Sequence, residues 1–170
     1  MEFYRDKRKS MNLILICTGI LLVLLAIFLY SIGLFDDHIS TKLAAATGIF
    51  SIILIIIIIT KLFSLRDQSP LVVLNDEGII SKVTAVSKAA GLILWKDITD
   101  ISLEKVGADT LVILIINNPE QYLPLIKKKL SGFVTNGLTN PDGTLPISLT
   151  ASELNIDAAE LYSKINSFWK

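Results

Sequence analysis

The sequence predicts a membrane-embedded α-helical hairpin followed by one α+β domain, whose antiparallel sheet is partly closed and has about six strands. Two long apolar runs, Met11–Phe35 and Leu43–Phe63, lie close together near the start of the 170-residue chain. A more polar stretch, Ser64–Lys170, follows them and shows first strand-like and then helix-like spacing of its apolar residues. We therefore expect a helix inserted late in the sheet and a second helix at the C-terminus.

The charged residues around the apolar runs predict the orientation of the hairpin. Residues 1–10 form a basic segment, and the loop at residues 36–42 between the runs holds two Asp and one Lys. Basic flanks stay on the cytoplasmic side of a membrane. The sequence therefore predicts that both termini are cytoplasmic and that the loop lies outside. The basic residues before the first run are Arg5, Lys7, Arg8 and Lys9.

Both apolar runs are long enough to be membrane spans, at residues 11–35 and 43–63. A helix needs ~20 residues to cross a hydrocarbon core of about 30 Å. Neither run contains a charged side chain, so we expect no proton relay or ion site inside the membrane. A cleaved signal peptide is the alternative for the first run. Its apolar stretch exceeds the usual ~7–15 residues, however, and no Ala-x-Ala site follows it.

Small residues predict where the two spans pack, because they allow the backbones of membrane helices to approach closely. They recur at steps of three and four residues in the second span and occupy the outer half of the first. We expect these faces to meet in an antiparallel pair. The residues are Ala44, Gly48 and Ser51 in the second span, with Ala26, Ser31 and Gly33 in the first.

Composition excludes several classes of function. The net charge is +2 for residues 1–63 and −2 for residues 64–170, so neither part is basic enough to suggest a nucleic-acid partner. Cys17 is the single cysteine, which excludes an intramolecular disulfide and a metal site built on paired cysteines. We also expect no cofactor.

Closely spaced strands are predicted after the spans. Short turns separate them, among them Asn75–Gly78 and Gly107–Asp109, and short turns are typical of an antiparallel meander. A further break is predicted at Lys88–Gly91. The five strands are Leu71–Leu74, Ile79–Val86, Leu92–Trp95, Ile98–Lys105 and Thr110–Ile116.

Helical spacing begins at Asn118, which can cap a helix with Pro in its first position. Pro124 interrupts the pattern, so we expect a kink or two short helices. Leu145–Leu149 then predicts one more strand, and Asp157 with Glu160 forms a capping pair for a terminal helix that covers the sheet. The apolar face of the first helix is predicted to include Tyr122, Leu123, Ile126, Leu130, Phe133 and Val134.

The stretch Leu94-Trp95-Lys96-Asp97-Ile98 follows two hairpin strands and the two spans. It resembles the Trp-x-Asp-Ile element of bacterial pleckstrin-homology-like membrane proteins, and the order of elements is similar to a family of small uncharacterised bacterial inner-membrane proteins. The resemblance implies a cytoplasmic PH-like domain with a binding or scaffolding role. It also leaves open an immunity or envelope-stress role against a toxin or antimicrobial peptide. The inserted helix departs from the family pattern of seven strands followed by one helix.

The polar residues predict no catalytic or metal site. Trp95 could stack on a ligand but suits a core, and Asp97 could bond a turn or pair with Asp100 as unspecific carboxylates. His38 with its two neighbouring Asp residues would bind a metal only loosely. As the only histidine lies in the outer loop, it cannot activate a nucleophile in the domain. We therefore predict that the protein is not an enzyme.

The main electrostatic feature is the run Lys127, Lys128 and Lys129. Together with Arg66, these residues predict binding to anionic lipid heads, at about 1 kcal/mol for each basic residue near the surface. The alternative is a solvated helix end that suits the negative pole of the helix dipole. The sequence thus predicts a non-enzymatic membrane-anchored binding or scaffolding module, with lipid and an unidentified protein or peptide as partners. A homo-oligomer is left open.

Overall fold

A computed structural model describes residues 1–34 and 39–169 of the chain. The predicted outer-loop residues Asp36, Asp37 and His38 lie outside the described residues, as do Phe35 and Lys170. The chain divides into two compact units. The hairpin unit is Lys7–Gln68, and the globular unit combines Met1–Asp6 with Ser69–Lys170.

The hairpin unit consists of helices α1 (Lys7–Ser31) and α2 (Thr41–Arg66). Their most apolar windows have mean hydropathies of 3.0 and 2.7, and only 6% and 11% of those residues are buried. A core helix of a soluble protein would be mostly buried, whereas a helix in lipid keeps its apolar surface exposed to the acyl chains. Both helices are therefore long, apolar and exposed enough for membrane anchoring.

The two helices pack along a face of small and hydroxyl-bearing residues. Gly48 lies against the ring of Phe28, where an added Cβ would be 3.4 Å from the Phe28 Cε2 atom. The predicted small-residue face is confirmed on α2, but the prediction for Ala26 is wrong because this residue is exposed. The buried or half-buried residues of the face include Ser31, Ala44, Thr47, Gly48 and Ser51.

The first sheet of the globular unit is antiparallel, in the order β1-β2-β3-β4. Its strands are β1 (Glu2–Phe3), β2 (Val72–Leu74), β3 (Gly78–Ser81) and β4 (Leu92–Leu94).

Strand β1 comes from the N-terminus, ahead of the hairpin. Phe3 pairs with Val72 of β2, and its side chain is only 6% exposed in the core. The Arg5 Nε atom donates to the Glu153 carboxylate at 3.2 Å, close to the isolated pairing of Arg5 with Leu154. The first six residues are thus part of the globular unit. The sequence alone predicts only a basic N-terminal segment here.

Helix α3 (Ala85–Ala90) occupies a region where the sequence predicted a strand and a break. The Thr84 side chain accepts from the backbone N–H of Ser87, and the Ser87 hydroxyl accepts from the backbone N–H of Thr84. Gly91 ends the helix with φ of +78°. The predicted strand Ile79–Val86 is therefore wrong beyond β3, because this reciprocal capping starts a helix instead.

The second sheet is also antiparallel, in the order β5-β6-β7, and neither sheet closes. The prediction of a single partly closed sheet is wrong, and the PH-like fold is not confirmed. A 3₁₀ turn at Trp95–Asp97 separates β4 from β5, so that these two strands do not continue one sheet. The strands are β5 (Ile98–Val106), β6 (Asp109–Ile116) and β7 (Leu145–Thr150).

The predicted inserted and C-terminal helices are confirmed. Helices α4 (Pro119–Lys129) and α5 (Gly132–Thr135) lie between β6 and β7, and α6 (Ala158–Trp169) follows β7. The helix α4 continues through Pro124, so the predicted interruption occurs instead after Lys129. The helix α6 packs on β5 and β6 with Leu161 and Ile165 fully buried, as its apolar stripe predicted.

Candidate functional site

Residues Trp95–Ile98 form the junction between the two sheets, which we call the Trp95 junction. Trp95 lies in the 3₁₀ turn instead of the predicted strand. Its indole Nε1 donates to the Asn75 carbonyl at 2.7 Å, and its ring is stacked on that of Phe168 with centroids 6.3 Å apart. The side chain is partly buried against the core. These contacts make Trp95 a packing residue that joins the β2–β3 turn to α6.

Asp97 is the buried carboxylate of the Trp95 junction, with only 7% of its surface exposed. The Tyr122 hydroxyl donates to Asp97 Oδ2 at 2.6 Å and accepts from the backbone N–H of Leu94 at 3.1 Å. Burial of the phenol, together with its hydrogen bond to Asp97, raises the pKa of Tyr122 to about 12. Tyr122 therefore remains a neutral donor at physiological pH and holds α4 against the junction. Asp100 is exposed on β5, whereas Asp97 is buried. These two carboxylates therefore lie in different environments and do not form a pair of equivalent groups.

The C-terminal helix completes the Trp95 junction. Trp169 Nε1 donates to the backbone carbonyl of Ile98 at 3.1 Å, at the start of β5. Both tryptophans of the chain thus attach α6 to one point of the globular unit. The sequence predicts the apolar stripe of α6. No local pattern, however, indicates the hydrogen bonds that the indoles of Trp95 and Trp169 donate.

A second cluster of distinctive residues lies at residues 125–134, which we call the α4–α5 segment. Phe133 is 94% exposed, and Leu125 and Val134 are 45% and 41% exposed. The helical spacing of the sequence predicts that Phe133 and Val134 lie on the buried face of α4. That prediction is wrong because α4 ends at Lys129, and the new turn of α5 changes which residues face the core.

Neighbouring side chains fix the α4–α5 segment to the core. Ile126 is completely buried, and Leu130 packs against the core just beyond the end of α4. Lys127 and Lys128 lie between them and are exposed. Lys129 is exposed as well, but its Nζ donates to the Ala89 carbonyl in the last turn of α3 at 3.1 Å. Lys129 therefore connects α4 to α3. Lys127 and Lys128 are then the main positive charges on the exposed surface of the α4–α5 segment.

The segment of the chain that contains these lysines carries only positive charges. Between Gln121 and Pro141 there are three lysines and no Asp or Glu. The lysines occupy the last turn of α4, where positive charge is favoured by the helix dipole. Basic residues beside exposed apolar side chains are typical of surfaces that bind anionic lipid.

The fourth basic residue predicted for the site is in the other unit. Arg66 is exposed in the last turn of α2 and lines an open cavity of about 410 Å³ with Ile59, Leu62 and Phe63. Arg66 is thus a basic residue at the end of a long apolar helix. Lys127, Lys128 and Lys129 form the cluster on one helix of the globular unit.

His38 and its two Asp neighbours, which the sequence predicts to hold a metal only loosely, lie outside the described residues. Among residues 1–34 and 39–169, no group of three His, Cys, Asp or Glu side chains is arranged to hold a metal ion. Cys17 is half-buried in α1.

Comparison with known proteins gives no relative of this chain. No family model matches it, and neither a curated protein nor a solved structure does so.

Proposed function

We propose that this protein is a non-enzymatic, membrane-anchored binding or scaffolding module whose globular unit binds the anionic lipid surface through the α4–α5 segment. The hairpin unit serves as the anchor. The observation that supports this proposal most strongly is the pairing of β1 with β2, because it attaches the globular unit to both ends of the hairpin.

Both connections between the units are short. Three residues separate β1 from α1, and five separate α2 from β2. Five extended residues span at most about 18 Å, less than the ~30 Å diameter of a domain of this size. Some face of the globular unit must therefore lie near the lipid heads when the hairpin spans a membrane. The exposed basic face is the one that anionic lipid would attract.

The same pairing supports the predicted topology. β1 and β2 belong to one sheet, which supports a topology with the N-terminus and Ser69–Lys170 on the same side of the membrane. The burial of Phe3 favours retention of α1 over its removal as a signal peptide, since cleavage would remove a core residue. With the basic flank of α1 these features favour a cytoplasmic globular unit. The resemblance favours the bacterial inner membrane.

Lys127 and Lys128 are suited to the electrostatic part of this binding. Each exposed lysine near an anionic surface contributes about 1 kcal/mol. Because the globular unit is already tethered, this modest attraction is enough to orient it. Protection against a toxin or antimicrobial peptide and a PH-like fold both stay predictions from the resemblance alone.

The test is amine footprinting of the full chain in lipid nanodiscs. The protein is placed in neutral phosphatidylcholine discs or in discs with added phosphatidylglycerol, and lysine acetylation is measured residue by residue by mass spectrometry. We expect Lys127 and Lys128 to be acetylated more slowly in the anionic discs at low salt. Lys105 is an exposed lysine on β5, and its acetylation serves as the internal control.

Salt provides a second control. The Debye length falls from about 10 Å at 0.1 M salt to ~3 Å at 1 M, so high salt should remove the protection. Equal acetylation of Lys127 and Lys128 in neutral and anionic discs at low salt would refute lipid binding by this surface.

A further inference from the structure

We propose that Phe133 inserts into the lipid interface as the apolar anchor of the α4–α5 segment, a role that rests on the lipid-binding function proposed above. Its exposure of 94% contrasts with that of Phe3, which is 6% exposed in the core. Phe168 is also packed, against Trp95. Phe133 thus presents nearly its whole ring outside the globular unit.

The backbone holds Phe133 in this position. The backbone N–H groups of Val134 and Thr135 donate to the Ser131 carbonyl at 3.0 and 3.2 Å, and that of Asn136 donates to the Gly132 carbonyl at 2.9 Å. Thr135 is buried, with an exposure of 6%. A hydrogen-bonded turn with its end fixed in the interior therefore presents the Phe133 ring outward.

A lipid surface suits this ring better than a protein partner does. A buried aromatic side chain contributes about 150–250 Å², whereas a stable protein interface needs about 800 Å² on each partner. One ring can still deepen the attachment of a tethered module, because tethering raises the effective concentration of the surface. The neighbouring Lys127 and Lys128 supply charge complementary to anionic lipid, and apolar side chains beside basic ones are typical of interfacial binding.

The experiment measures the depth of residue 133 in the full chain. In a Cys17→Ser background, Phe133→Cys is labelled with the environment-sensitive dye NBD and reconstituted into anionic nanodiscs containing nitroxide-labelled lipid. The matched control is Val106→Cys, since Val106 is apolar and 55% exposed at the end of β5. We expect quenching at residue 133 to exceed that at residue 106 on the order of twofold or more, as for a side chain below the headgroups.

A combined change tests the role of charge. Adding Lys127→Glu and Lys128→Glu to the labelled Phe133→Cys protein should reduce the quenching, because repulsion from anionic lipid opposes insertion. Equal quenching at residues 133 and 106 would overturn the proposal. So would an NBD blue shift that appears in lipid-free amphipol and grows with protein concentration, since that result assigns residue 133 to a contact between copies.

The two experiments separate the two proposals. Protection of Lys127 and Lys128 from acetylation without quenching at residue 133 would refute insertion of Phe133 alone. Loss of both signals would refute lipid binding by the α4–α5 segment as a whole.

Discussion

The Trp95 junction and the α4–α5 segment are two conspicuous regions of the globular unit, and they use their side chains in opposite ways. At the junction, the Trp95 indole and the Asp97 carboxylate form hydrogen bonds within the unit. In the α4–α5 segment, Lys127, Lys128 and Phe133 extend from it. The stretch that resembled a known motif thus stabilises the fold. The proposed binding surface lies where the sequence has no motif.

The largest effect on stability is expected for Phe3→Ala, far from the junction in sequence. Removing a buried Phe side chain costs about 3–5 kcal/mol, and Phe3 is buried beside β2. Unfolding of the full chain in nanodiscs can be followed by tryptophan fluorescence, because both tryptophans, Trp95 and Trp169, belong to the globular unit.

Tyr4→Ala is the matched control for this measurement. Tyr4 is 45% exposed, so its truncation should change the free energy of unfolding by about 0.5 kcal/mol or less. If Phe3→Ala were as mild as Tyr4→Ala, β1 would not be an integral part of the globular unit.

A smaller effect is expected for Tyr122→Phe, which removes the hydroxyl that donates to Asp97. A buried carboxylate that loses its donor costs about 1–3 kcal/mol. The free energy of unfolding should fall by this amount, while the acetylation of Lys127 and Lys128 in anionic discs should not change. Unchanged stability in this variant would mean that the Tyr122–Asp97 hydrogen bond does not stabilise the Trp95 junction.

The same tyrosine predicts a dependence on alkaline pH. The pKa of Tyr122 is raised to about 12 in the folded chain, from an ordinary value of 10.0. The folded state therefore holds this proton more tightly, and the stabilisation is complete below pH 10 and is lost as the pH rises towards 12. The stability difference between wild type and Tyr122→Phe should shrink over this range. A constant difference would contradict the raised pKa.

The smallest effect on stability is expected for Lys127→Glu combined with Lys128→Glu. Both side chains are exposed, so the free energy of unfolding should change by about 0.5 kcal/mol or less. The pair should nevertheless reduce the difference in quenching between residues 133 and 106. A large loss of stability would instead make the two lysines structural.

Regular periodicity made much of the fold predictable. The two apolar helices, the long β-branched run of β6 and the capping pair of α6 all have local patterns that continue over several residues. Strand β1 has only two residues and pairs with a segment beyond the entire hairpin, so no local pattern could identify it. The sequence of helix α3 does contain a helix signal. Thr84 and Ser87 have the spacing of a capping pair, and Gly91 follows where the helix ends.

Of the α4–α5 segment, only the positive charges could be predicted from the sequence. The lysine run is visible in the sequence, but the exposure of Phe133 depends on where α4 ends. Continuing the helical period past Lys129 places Phe133 on the buried face, whereas the actual break at Leu130 and Ser131 turns it outward. The hydrogen bond from Lys129 to Ala89 likewise depends on α3, where the sequence predicts a strand and a break instead of a helix.

The most direct test of this division of roles compares Tyr122→Phe with Phe133→Ser in anionic nanodiscs and measures two quantities on each variant. These are the thermal midpoint of the globular unit and the protection of Lys127 and Lys128 from acetylation. We expect Tyr122→Phe to lower the midpoint and retain the protection, and Phe133→Ser to retain the midpoint and reduce the protection. A lowered midpoint with full protection in Phe133→Ser would contradict this division, because Phe133 would then stabilise the fold and not the contact with lipid.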